Sequence, residues 1–483
     1  MFSRPKSALF AVMALVAMIL ALPQPAPAAQ GPVASEGPDA RFPSPDPERD
    51  DPGSGQGPAG GPGTGLSSVR ATSSRAAARD DWPQFKRDAA GTGVCDSRVP
   101  NYPGVLWETP TEYGIVGSPV LFGGMLYLMD EGGTLYAVNA GNGSVEWTRS
   151  LGFQAVGTPA VSGDRLYVAA EAAPNSTLYC LDVDDGSEIW TYPSSTFFGR
   201  CSPTVLDGRV YIGMFTTEET DWEPNFLALD ADDGSLVWHY HMGHNSTRGV
   251  DSTAAATGGS GPMVLVGTDV HHTSGDSSFV CFDAGGMEDG NQGVDWETNT
   301  SGPYGDVLWS LNGTPVFSSP AVVGNSVFFG DNVGTVYSFN TLSGAQRWSY
   351  PTGGAIHSSP AIDPSTGLVY VGSDDNRLYA LSMADGSLSW MYETNAKIWY
   401  ASPSVAPGYV LAGSSDNKLR CLNSSAEPMS SEERLVWSAN PGHGAIVGAP
   451  VVSDGRVYVT CRDGYLVAIG TPELMLGSLP QLS

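Results

Sequence analysis

Five of the seven histidines in this 483-residue chain are His239, His241, His244, His271 and His272, and the acids Glu218, Glu219, Asp221 and Asp276 accompany them. Imidazole and carboxylate together suit transition metals. Alternate residues of an extended strand share a face, so His239 and His241 point to one side at a separation a metal ion can bridge. No spacing among them matches an established metal signature, and a hydrogen-bonded polar surface cluster is the competing reading.

A second set emerges when recurring Ser-Pro-like and Thr-Pro-like starts, such as GSPV at Gly117 and SSPA at Ser318, are aligned. Just before each start stand Val116, Val156, Arg200, Val250, Phe317, His357, Tyr400 and Val447, and the next position is small everywhere except Asp251. If the strand that follows lines a central axis, Arg200, Asp251, His357 and Tyr400, with Trp399 adjacent, ring one mouth of a channel. An Arg–Asp pair there is explained by mutual neutralisation alone, Asp251 with His357 has the elements of an acid–base pair, and the aromatic members suit a ligand. Trp222, within the insertion TTEETDWEPN, and Trp309, in a long connector, add two candidate ligand-binding aromatics. DVDDG (182–186) and DADDG (230–234) superficially suggest calcium loops but lack the remaining ligands. They read as turns in which Asp accepts from backbone amides and Gly takes positive φ.

The elements that position these residues are set by a repeat. AVNAGNGSVEW (137–147) recurs with the same length at 180–190, 228–238, 338–348 and 380–390, and with stretched turns at Cys281–Trp296 and Cys421–Trp437. A last copy begins at Ala468 without reaching a Trp. Each unit reads as an apolar strand, a Gly/Asp turn, a Val-Tyr strand, a second turn, Leu-Tyr-Ala-Leu and then this motif. Four short strands at a period of roughly 40–50 residues identify propeller blades. Eight unit starts predict an all-β, eight-bladed propeller of four-stranded antiparallel blades. The strand around Trp107 has no unit of its own, so it is expected to complete the C-terminal blade, abolish an open edge and supply the main closure of the ring. Trp107, Trp147, Trp190, Trp238, Trp296, Trp348, Trp390 and Trp437 are the expected docking residues. The position opening each motif is Ala, Cys or Ser, which predicts a slot too small for bulk, covered by a neighbouring blade's Trp. Cys180, Cys281 and Cys421 then need no redox role.

Acids outnumber bases 51 to 23, a net charge of −28, which argues against nucleic-acid binding and against direct binding to anionic lipid. Arg4 and Lys6 precede an apolar run from Ala8 to Leu22 and a small-residue site at Ala26-Pro27-Ala28. Residues 1–28 therefore read as a signal peptide, with an uncleaved anchor as the only expected membrane contact. Residues 29–79 are a Pro/Gly/Ser-rich linker, 80–473 the propeller and 474–483 a tail. Six N-x-[ST] sequons, Asn142 and Asn423 among them, are compatible with export. An extracytoplasmic monomer is expected.

The repeated A-x-[DN]-x-x-x-G-x-x-x-W resembles the motif of pyrroloquinoline-quinone (PQQ)-type propeller repeats. DWPQFKRDAAGTG (81–93) resembles the segment that precedes their first blade. Such blades serve quinoprotein dehydrogenases and also cofactor-free scaffolds similar to the lipoprotein of the outer-membrane β-barrel assembly machinery. The dehydrogenase likeness implies PQQ, calcium held by Glu, Asn and Asp, and a vicinal Cys-Cys disulfide, yet this chain has no adjacent Cys pair. The expectation is a non-catalytic scaffold without cofactor. It engages a protein or glycan of the cell envelope on the loop-decorated face of units three to five. A PQQ-dependent dehydrogenase of alcohols or sugars is the alternative.

Overall fold

The computed structural model describes residues 80–152, 157–172, 175–195, 197–198, 201–214, 226–240, 249–250, 252–259, 261–268, 277–284, 307–313 and 315–472. The expected signal peptide, linker and tail lie outside them. Alternating apolar residues broken by Gly and Asp turns fold into eight sheets of four antiparallel strands each among the described residues. Blade 1 is typical: a buried inner strand Val120–Phe122, then Met125–Met129 and Thr134–Asn139, then an outer strand Val145–Ser150 whose exposure alternates. In blade 8 the strand Gly104–Pro110 pairs with Tyr465–Gly470 and places Trp107 opposite Ala468, so the two ends of the ring share one sheet.

The small slot has a different cause from the one the sequence suggested. Ala137 lies opposite Tyr127 on one side and Trp147 on the other, and Cys180 lies likewise between Tyr167 and Trp190. A small residue on the third strand lets the second-strand Tyr and the fourth-strand Trp of the same blade approach across it, with ring centroids 6.0 Å apart in blade 1 and 5.9 Å in blade 2. Five of the fourth-strand Trp residues, Trp107, Trp147, Trp190, Trp309 and Trp348, instead pack over the turn glycine of the following blade. A side chain on Gly186 would meet Trp147 at 2.9 Å and one on Gly386 would meet Trp348 at 2.6 Å. Polar tips complete the seam: Tyr167 Oη and Trp190 Nε1 both donate to Ala231 O, at 3.1 Å each.

The stretched turns modify this seam. In blade 4 the residue opposite Cys281 is Trp309, whose Nε1 donates to Thr341 O at 2.6 Å and whose ring covers Gly344. Trp309 thus takes the place assigned to Trp296, which lies outside the described residues. In blade 7 the long turn holds a one-turn helix, Ser431–Arg434, closed by a capping box between Ser430 and Glu433. The buried Arg434 guanidinium sits 4.1 Å from the Trp390 ring centre and donates to Asn423 O, Ser425 O and Glu427 O. A cation over the indole stands where the other blades place a glycine.

Two further devices close the ring. The first is a belt of hydroxyls: the backbone N–H of Ser118 donates to Thr158 Oγ1, Thr158 to Ser202, Ser202 to Thr253, Thr253 to Ser319, Ser319 to Ser359 and Ser359 to Ser402. Ala449 N donates back to Ser118 Oγ at 2.8 Å. Ala449 offers no hydroxyl, so Ser402 N turns to Tyr400 O at 2.7 Å. The recurring Ser-Pro and Thr-Pro starts are therefore blade-to-blade acceptors, each satisfying an otherwise orphaned inner-strand amide.

The second device is the segment before the first blade, which threads the axis and bonds to the inner strand of every blade. Trp82 pairs with Leu121, Pro83 O accepts from Val161 N, Gln84 Oε1 from Val205 N, and Ala89 O from Ala256 N. Ala90 O accepts from Val322 N, Thr92 O from Ile362 N, Gly93 O from Val405 N, and Trp82 Nε1 donates to Val452 O. Inner strands run from the belt toward this plug, so the plug closes one end of the channel. Lys86, 2% exposed, reaches from the plug to Pro403 O, next to the belt. Burial lowers its pKa to about 7, against a smaller opposing effect of Asp88.

Candidate functional site

The belt fixes the register of the opposite mouth. Ser252 bonds to Gly267, as Ser318 does to Gly330 and Ser358 to Gly372, while Thr253, Ser319 and Ser359 form the belt. Counting back two residues from each belt position gives Val116, Val156, Arg200, Asp251, Phe317, His357, Tyr400 and Val447. By sequence register the blade 4 position is 251, and Val250 is buried against Gly213 in the wall between strands. Val156, Arg200 and Asp251 themselves lie outside the described residues.

Blade 7 carries one extra residue here. A side chain on Gly330 would run into Ile356, and one on Gly372 into Ile398, so these two isoleucines are equivalent. Ile356 stands three residues before Ser359 but Ile398 four before Ser402. The insertion brings two aromatic residues, Trp399 and Tyr400, to a place where other blades bring one side chain. They stack on each other at 4.4 Å and meet the His357 ring edge-on at 6.0 and 5.9 Å. Phe317 stacks on the other side of His357 at 5.8 Å. Three of the expected mouth residues, His357, Trp399 and Tyr400, therefore form one aromatic arc with Phe317 across blades 5 to 7, and all four remain partly exposed.

Behind the arc, His357 Nδ1 lies 3.4 Å from Asp374 Oδ1, and Lys397 Nζ donates to Asp374 Oδ2 at 3.0 Å. Burial opposes ionisation of Asp374, but the hydrogen bonds and charges of His357 and Lys397 outweigh it and hold the carboxyl below its ordinary range. The sequence reading missed both Asp374 and Lys397. A signal existed: the corresponding turns carry a single Asp that braces a Tyr hydroxyl, as Asp130 does Tyr136 and Asp331 does Tyr337. In blade 6 Asp375 fills that role for Tyr379, which leaves the doubled Asp374 spare.

Other candidates fall elsewhere. Trp309 belongs to a seam on an outer strand, away from the mouth, which corrects its place among ligand-binding residues. His239 is partly buried on the outer strand Leu236–Tyr240, opposite Leu227. His241, His244, His271, His272, Trp222 and the acids Glu218, Glu219, Asp221 and Asp276 lie outside the described residues. Asp182 and Asp185 accept from Asp184 N and Ser187 N at 2.8 Å, which makes that acidic stretch the seam's own turn. All six cysteines are buried. Burial pushes the thiols of Cys180, Cys281 and Cys461 up to about 12, so they remain unreactive thiols at neutral pH.

At the described part of the mouth the carboxylate of Asp374 is committed to His357 and Lys397, and among the described residues no three His, Cys, Asp or Glu side chains are placed to hold one metal ion.

Repeat, ring and seam together define a PQQ-type eight-bladed propeller. More narrowly, the chain belongs to the family described as outer membrane protein assembly factor BamB, which matches residues 103–308 and 298–427. It is 25% identical over 387 residues to that factor from Salmonella typhimurium (strain LT2), covering 76% of this chain and 88% of that protein. The match to the factor from Moranella endobia (strain PCIT), 25% identical over 165 residues, covers 32% of this chain and only 41% of that relative. Among solved structures, BamB from Moraxella catarrhalis superposes with a TM-score of 0.57 at 15% identity, covering 77% of this chain and 100% of that one. Quinohemoprotein alcohol dehydrogenase from Comamonas testosteroni gives 0.60 at 15% identity, over 82% of each chain. These structural likenesses speak to the fold alone.

Proposed function

We propose that the protein is an extracytoplasmic, non-catalytic scaffold that works without a bound cofactor and engages a protein partner of the cell envelope. The observation that carries this reading is membership of a family described as an assembly factor, over most of the ring. The site chemistry supports it: thiols held inert by burial, and a mouth whose carboxylate is already neutralised. The partner face is the one that bears the mouth. There the turns between second and third strands gather with the blade connectors, and the inserted stretches 215–225 and 269–276 leave from that edge. Loops on a rigid ring are suited to recognition.

Photo-crosslinking tests this assignment. A photoreactive residue at Asn395 or Val333, both exposed on the mouth face, should trap a discrete protein adduct in the native envelope. The same residue at exposed Leu342, on the plug side, should trap none. Equal adducts from both faces, or none from either, would overturn it. The dehydrogenase reading, favoured by the ring's likeness to quinohemoproteins, predicts PQQ binding instead.

A further inference from the structure

We infer that the channel mouth is a saccharide site, separate from protein engagement, which takes the terminal sugar of a neutral glycan. The plug bonds to all eight inner strands, so the channel is blind and admits the end of a molecule, not a threaded chain. Its open end is two-sided. Blades 5 to 7 contribute the partly exposed rings of Phe317, His357, Trp399 and Tyr400, while Val116 and Val447 stand at the same register in blades 1 and 8.

Charge selects among occupants. A chain of net charge −28 repels an anion at long range. Beside the arc Asp374 and Lys397 neutralise each other, so this side of the mouth presents no unbalanced charge to a cation. What remains is a neutral molecule with an apolar face for aromatic rings and hydroxyls for polar neighbours. A sugar has both: its axial C–H face stacks on indole and phenol, and its hydroxyls match polar groups such as the Lys397 ammonium and the Tyr400 hydroxyl. The extra residue of blade 7, which places Trp399 beside Tyr400, is the feature that widens the aromatic surface.

The test uses the full chain and three probes: cellotriose, mannotriose and chitotriose. Calorimetry and indole fluorescence should show saturable binding of at least one of them, and Trp399→Ala should weaken it by about tenfold or more. His357→Ala provides a second variant should Trp399→Ala fail to fold, and Leu342→Ala, on the plug side, should leave affinity unchanged. Absence of saturable binding by all three sugars, or binding indifferent to Trp399 and His357 in folded variants, overturns the inference. The crosslinking experiment is read without sugar, so the two assignments fail independently.

Discussion

Lys86 is the residue whose placement most needs explaining, because an ammonium in an apolar channel destabilises the folded state unless it loses its proton. Its folded pKa of about 7 lies well below the unfolded value of 10.5. Between those values the unfolded chain binds the extra proton and the folded chain does not, so this group makes stability rise with pH from about 7 upward. Lys86→Met should therefore be more stable than the parent by about 1–3 kcal/mol at neutral pH. Urea unfolding between about pH 7 and 9, below the range of the buried thiols, should show that advantage shrinking by roughly 1 kcal/mol per pH unit. A variant that is less stable, or an advantage independent of pH, would show the ammonium to be well compensated by Pro403. At this scale the sequence was partly legible. The aromatic members of the mouth could be read because each interrupts a row of small or apolar residues. Asp374 and Lys397 were missed: the doubled Asp is visible against the single Asp of other turns, but nothing local says which acid of the pair is spare or that a lysine meets it. The blade 4 register was set one position off, because Ser252 and Thr253 both suit the belt and only the hydrogen bonds of Thr253 decide between them.

Among elements, the segment 81–98 changes the account of how the ring is held. The repeat makes the shared blade legible, since a strand with a Trp and no unit must pair with a unit that has no Trp. The plug is not legible in the same way: its bonds use backbone groups of inner strands, and backbone groups carry no side-chain signature. The sequence marked DWPQFKRDAAGTG as the start of folded chain without showing that it runs round the axis. Two truncations separate the devices. A chain starting at Asp80 should keep the parent's melting temperature. One starting at Tyr102 keeps the closing strand but loses contacts to all eight blades. At about 1 kcal/mol per hydrogen bond it should lose several kcal/mol of stability in a thermal or urea melt. Unchanged melting of the shorter chain would return the whole of closure to the shared blade. The seam teaches a related lesson: Cys180, Cys281 and Cys421 were rightly read as small residues, but the bulk they accommodate belongs to their own blade.

At the scale of the whole ring, the described residues close one end of the axis with the segment before the first blade and place aromatic side chains at the other. The same architecture supports oxidation chemistry in proteins such as the Comamonas testosteroni dehydrogenase, so architecture alone does not separate the two uses. On the proposed scaffold reading the difference lies at the mouth, where this chain places an arc of rings and a carboxylate bound to Lys397 and His357. The most direct measurement is a calorimetric titration of the full chain with PQQ in the presence of calcium, followed by a dye-linked assay for alcohol and sugar oxidation. The scaffold account predicts no saturable heat and no dye reduction above the protein-free control. Stoichiometric PQQ binding with turnover would contradict it.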